Sequence, residues 1–348
     1  MIYHPAGDTY SQLPFRLRSF SLSFILLAFI CMPAFAEDDV KPISDDAKSL
    51  VKQGEKLIRK GDFGGAEQMF KLAMEARPTD PEIKLKLAYL YVKTRRFVEA
   101  YELSFPVVRE DPKNSYAFAV VGATYLGAGR FRDARMLLVN SIRLKNDQPL
   151  AWAGLGMLDF YENKIQESLK NLEEAVYYDP FEPDFLYALA QVSARAEKYK
   201  EAAAAYDSFL RVSRNTDDER RARIKGLINF LRYLGNKQSL YQTGGEPNTE
   251  VMIELVGNRP IIQLRINGRP EPLNFVLDTG SGISVISDEA AKELGIKAIT
   301  KGGFAKGIGG DGKFAIVYGF IRDVDIGAVT VRNVPVYIRK FHSYGKIH

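Results

Sequence analysis

Apolar positions keep one rhythm up to about residue 235 and take up another from residue 250. In the first stretch they fall on helices separated by short polar turns. "GDFGGA" at 61, "RRFVEA" at 95, "GRFRDA" at 129, "NKIQES" at 163 and "EKYKEA" at 197 mark such turns at a constant period of 34. Small residues hold fixed columns in that frame. Ala66, Ala100, Ala134, Ser168 and Ala202 form one; Gly54, Ala88, Gly122, Gly156 and Ala190 form another. A small residue on each helix of a pair lets the two axes approach closely. Phe63, Phe97, Phe131, Ile165 and Tyr199 are expected to fill the space at the turns, and the helical aromatics, including Tyr177 and Tyr178, to be core. Pro78, Pro112 and Pro180 stop the second helix of their pairs, because proline cannot continue it. "DDERRARIKGLINFLRYLG" predicts one more amphipathic helix that caps the array, and "NKQSLYQTGGEPNTE" predicts a linker.

From residue 250 the pattern alternates and is rich in Val, Ile and Leu, as in "EVMIELVGNRPIIQLRINGRPEPLNFVLDTG". Alternation predicts strands, and Asn267-Gly268 is a strong turn signal. "SDEAAKELG" predicts a short helix with Ser287 as its cap, acids in its first turn and glycine at its end. Further strands follow in "FAIVYGFIRDVDIGAVTVRNVPVYIRK".

In its 34-residue period and small-residue columns, the first half resembles the tetratricopeptide repeat family. The resemblance implies a five-repeat α-solenoid over residues 44–214 that holds a polypeptide or protein partner on its concave face, or else serves as a packing platform. Residues 215–248 would be the cap and linker. In the second half, Phe275-Val276-Leu277 leads into Asp278-Thr279-Gly280-Ser281, and an apolar run from Ile283 to Ile286 leaves it. Here the chain resembles the retropepsin-like aspartic peptidases. The implied fold of residues 249–348 is an all-β acid-protease-like barrel domain. The implied role of Asp278 is catalytic, and that of Thr279 is a hydroxyl locking two active-site loops together. Gly280 would permit the tight turn, and Ser281 would hydrogen-bond the outer carboxylate oxygen. Ile308, Gly309 and Gly310 fall where that family has its substrate flap. Such chemistry needs two carboxylates, and the chain has one such tripeptide, so activity implies a homodimer. The family's closing strand, apolar-apolar-glycine turn and helix are not found before His348, so the domain is expected to be incomplete at its C-terminal side.

Composition narrows the chemistry further. The net charge of +5 is spread along the chain, with no basic stripe, which argues against nucleic acid. Arg16 and Arg18 precede an apolar run from Phe20 to Met32, then Ala34-Phe35-Ala36 and three acids. That layout predicts a signal peptide over residues 1–36, cleaved near Ala36, and a periplasmic or secreted protein; an uncleaved anchor is the alternative. Cleavage removes Cys31, the lone cysteine, and with it any thiol chemistry. Three histidines, His4, His342 and His348, leave little material for a metal site or a Ser-His-Asp triad. "GIGGDG" fits a phosphate-loop pattern, but strand-like sequence follows it, so no nucleotide is expected. Asp323 and Asp325 are expected to face solvent beside a turn rather than bind metal. No cofactor is expected. Two functions remain: an exported aspartic endopeptidase whose repeats recruit substrate, or a non-catalytic exported peptide-binding scaffold with a degenerate peptidase-like domain.

Overall fold

The computed structural model describes residues 44–213, 218–237, 239–281, 283–306 and 313–340. The predicted signal segment therefore lies outside the described residues. Five helix pairs come first: α1 (Ser44–Arg59) with α2 (Phe63–Ala76), α3 (Pro81–Lys93) with α4 (Phe97–Glu110), α5 (Ser115–Gly127) with α6 (Phe131–Leu144), α7 (Pro149–Tyr161) with α8 (Ile165–Tyr178), and α9 (Pro183–Arg195) with α10 (Tyr199–Val212). The 34-residue columns explain the pairing. Ala66, Ala100, Ala134, Ser168 and Ala202 are all fully buried. A Cβ on Gly54, Gly122 or Gly156 would press into Phe70, Leu138 or Leu172, each sixteen residues on. Close approach at Gly156 also satisfies the one polar member of the column, since the Ser168 hydroxyl donates to the Gly156 carbonyl at 2.7 Å. The turn residues Phe63, Phe97, Phe131, Ile165 and Tyr199 are each the first residue of the second helix in a pair. Phe63 and Phe131 remain partly exposed there, and Phe131 stacks on Tyr161. Tyr177 departs from the expected core: it is 78% exposed on the last turn of α8, edge-on to Tyr178.

Helix α11 (Asp218–Leu234) follows α10 and packs on it through Ile224, Ile228 and Leu231. The segment predicted as a linker then forms a strand, β1 (Gln242–Gly245). Its "QTGG" carries no alternation; it is a strand because β8 (Val329–Arg339) offers it an edge, with Gln242 opposite Arg332. The remaining strands are β2 (Ile253–Val256), β3 (Arg259–Ile266), β4 (Leu273–Val276), β5 (Ser284–Ser287), β6 (Thr300–Lys306) and β7 (Lys313–Ile326), with α12 (Asp288–Glu293) after β5. They form one sheet in the order β1-β8-β7-β3-β2, with β4 on β3, β6 on β7 and β5 parallel to β8. Ile266, Ile286, Ile321, Val336 and the inner face of α12 make its core. Ser287 caps α12 by accepting from the Ala290 N–H, and Gly295 turns the chain after it at φ +66°. Asn267 and Gly268 both adopt positive φ, as the turn requires. The Asn267 side chain then accepts from the Arg322 and Asp323 N–H groups, tying the turn to β7. Asp323 is half-buried between Arg322 and Arg332, and Asp325 accepts from the Thr330 hydroxyl at 2.6 Å, so both acids are paired within the sheet rather than turned to solvent.

The predicted cap is not an open end. β6 lies across α11, and Phe230 stacks on Tyr318 of β7 with ring centroids 4.5 Å apart. Leu234, Leu240 and Ile316 complete this apolar junction. At its centre backbone meets backbone. A Cβ on Gly226 would stand 2.5 Å from the Lys301 carbonyl oxygen and closer still to Gly302 Cα. Replacing glycine by alanine inside an exposed helix ordinarily stabilises by about 0.5–1 kcal/mol. Gly226→Ala is expected to do the reverse, lowering stability to urea by roughly 1–3 kcal/mol through overpacking. A gain in stability would show that the junction is slack.

Candidate functional site

The Asp278 loop is built by the sheet on both sides of it. β4 runs antiparallel to β3 with Val276 opposite Ile261, and the Leu277 N–H extends the ladder to the Pro260 carbonyl at 2.9 Å. The chain then leaves the sheet. Asp278 Oδ1 accepts from the Gly280 N–H at 2.9 Å, and the Asp278 carbonyl accepts from the Ser281 N–H at 3.2 Å. These two bonds fold Asp278–Ser281 into a tight turn whose own acid side chain closes it. A Cβ on Gly280 would sit 3.2 Å from the same carboxylate oxygen, so glycine keeps the approach to the acid open. After the turn, β5 re-enters the sheet beside β8, with Ser284 opposite Val336.

Four of the predicted site residues, Asp278, Thr279, Gly280 and Ser281, are therefore together on one exposed turn. Asp278 Oδ2 has no hydrogen-bond partner among the described residues, and no second carboxylate bonds to the first. Thr279 is exposed, with no side-chain hydrogen bond among the described residues. Ser281 differs from expectation: its hydroxyl donates to the Ile283 carbonyl at 2.7 Å instead of to the carboxylate. This bond braces the exit from the turn. β6 and β7 are paired as far as Lys306 opposite Lys313. The predicted flap residues Ile308, Gly309 and Gly310 between them lie outside the described residues. Among the described residues no cluster of His, Cys, Asp or Glu suits a metal ion.

A further exposed apolar surface lies across β3 from the strand that enters the turn. Among the described residues β2 pairs only with β3, and it is exposed along its whole length. Leu255 is 72% exposed, and Met252, Ile253 and Val256 are exposed with it, as are Val276 and Leu277 next to Asp278. Alternation identifies such residues as strand but not which of its faces stays uncovered.

The solenoid carries a second candidate site. A concave cavity of about 740 Å³ is lined by Glu55, Lys86, Tyr89, Tyr116, Glu182 and Phe185 among others. The Lys86 ammonium pairs with Glu55 at 2.6 Å. Burial pushes the Tyr89 and Tyr116 phenols well up from their ordinary range, so both are neutral hydroxyls in the cavity wall. These residues sit on the first helices of their pairs or, for Glu182, at the cap of one, and only the superhelical path shows that they converge.

Comparison with known proteins agrees with this division. Residues 262–345 match the family described as aspartyl protease. Residues 57–124 and 153–218 match two families, each described as tetratricopeptide repeat. A curated relative, the BBSome complex member BBS4 of Bos taurus, is 26% identical over 154 residues, which is 44% of this chain and 30% of the relative; the chain thus spans under a third of its length. Among solved structures, TTC0263, a thermophilic TPR protein of Thermus thermophilus, is 20% identical, covering 52% of this chain and 98% of its own, with a TM-score of 0.44. Pseudomonas aeruginosa PilF is 15% identical over 56% of this chain and 89% of its own, with a TM-score of 0.38. The chain carries a tetratricopeptide-repeat solenoid followed by a β-rich domain of aspartyl protease type.

Proposed function

We propose that this protein is an exported aspartic endopeptidase that works as a symmetric homodimer, with one Asp278 from each chain, and that its repeats bring a polypeptide to that site. The observation that carries this reading is the Asp278 turn itself. Its carboxylate is presented outward on a braced loop, one oxygen held by the Gly280 N–H and the other without a hydrogen-bond partner among the described residues, beside exposed apolar residues. Two carboxylates a few ångströms apart cannot both ionise, so the pair shares one proton. The ionised member takes a proton from water as the water oxygen attacks the scissile carbonyl carbon. The protonated member gives its proton to the carbonyl oxygen. Collapse of the resulting diol breaks the C–N bond, and the departing amine takes up a proton. The titration belongs to the pair, so activity peaks at mildly acidic pH.

The uncovered strand β2 supports the dimer. An edge strand with apolar residues on both faces is a template for pairing; it flanks β3 on the edge opposite β4, the strand that leads into the Asp278 turn. Residues 1–36 support export. The second reading, a non-catalytic scaffold, is supported by the concave cavity, which owes nothing to Asp278.

Asp278→Asn is expected to abolish peptide cleavage at every pH while leaving the thermal midpoint in place; cleavage that survives the change would rule out the peptidase reading and leave the scaffold. Leu255→Glu is expected to convert dimer to monomer in sedimentation velocity and to remove cleavage with it. Intact mass spectrometry of the exported protein should show an N-terminus at Glu37, and retention of Cys31 would count against cleavage there.

A further inference from the structure

Lys93 is a lysine where lysines are rarely found. It is the last residue of α3 in the second repeat, and its side chain is only 7% exposed. Its ammonium donates to Glu182 Oε1 at 2.7 Å and to Asp184 Oδ2 at 2.6 Å. Those acids open α9 in the fifth repeat, where Glu182 also caps the helix by accepting from the Asp184 N–H at 3.2 Å. The partners are 89 and 91 residues apart in the chain. The Tyr89 ring lies beneath the ammonium, 5.1 Å from nitrogen to centroid. Cation at the C-terminal end of one helix and anions at the N-terminal end of another also suit both helix dipoles. Burial opposes the charge on Lys93, but Tyr89, Asp184 and Glu182 hold its pKa above the ordinary lysine value.

We propose that Lys93, Glu182 and Asp184 form a clasp across the concave face, which locks repeats two to five into one curvature and holds the cavity beside it in shape. Glu182 and Tyr89 belong to both the clasp and the cavity lining, so the two cannot change independently. Neighbouring repeats pack through apolar helix faces, as solenoid repeats do. The clasp instead joins repeats that are not neighbours, and it does so through charged groups. A buried ion pair contributes little net stability after its desolvation cost, but leaving one partner alone is strongly unfavourable. Such a contact selects one shape rather than adding strength.

Small-angle scattering and amide hydrogen exchange on the whole chain test this. Lys93→Met is expected to enlarge the radius of gyration and to speed exchange at the start of α9. Asp184→Asn, at a side chain 68% exposed, should shift both in the same direction by less. Lys86→Met breaks the pair with Glu55 between adjacent repeats and should leave both readings unchanged. If Lys93→Met fails to fold, Asp184→Asn decides the matter. Unchanged scattering and exchange in Asp184→Asn and any folded Lys93→Met, or equal expansion in Lys86→Met, would overturn the proposal.

Discussion

The β domain is seated on the solenoid at a place where two backbones touch. Gly226 of α11 faces Gly302 of β6 with no room for a methyl group between them. Around that point Phe230 lies flat on Tyr318, and Arg223 donates to the Phe304 carbonyl at 3.1 Å. The β domain has its own core around Ile266, Ile286, Ile321 and Val336, and a second apolar cluster at the junction. Here it borrows one side of a helix that the solenoid has already folded. β6 and β7, which rest on that helix, are also the strands that lead toward Lys306 and Lys313. The helical half is thus part of the foundation of the β domain and not merely attached to it.

The two candidate sites differ in how they are held. The Asp278 turn is short, exposed and stabilised almost wholly by its own hydrogen bonds. Its neighbours Val276 and Leu277 leave apolar surface uncovered, as does β2. The concave cavity is the opposite case. Its walls come from helices far apart in sequence, and its shape depends on how each repeat stacks on the next. One site is local, made by a few consecutive residues; the other is distributed over several repeats.

The repeats were legible because small residues recur at one period, and each of them meets a specific neighbour: Gly156 with Leu172, Gly122 with Leu138. The turn at Asn267-Gly268 and the cap at Ser287 were legible because short-range chemistry dictates them, and the Asp278 loop because its motif resembles that of a known family. What escaped the sequence was decided at long range. "QTGG" becomes strand β1 only because β8 lends it an edge. Gly226 reads as a weak point in a helix until Gly302 is placed against it. Tyr177 looks like a core aromatic and lies outside, whereas Lys93 looks like a surface charge and lies inside. Both inversions follow from the superhelical path, which no single stretch encodes. For Ser281 the family resemblance implies the Asp278 carboxylate as acceptor, whereas its hydroxyl donates to the Ile283 carbonyl two residues on.

The reach of Lys93 has a consequence for the history of the chain. A solenoid unit touches only its neighbours, so arrays of this kind readily gain or lose whole units. Between Lys93 and Glu182 that freedom is gone. One 34-residue unit inserted or deleted there would carry the acids a full step along the superhelix and leave an ammonium buried without its anions. With the clasp proposed above, the three side chains act as a tally of the repeats that separate them.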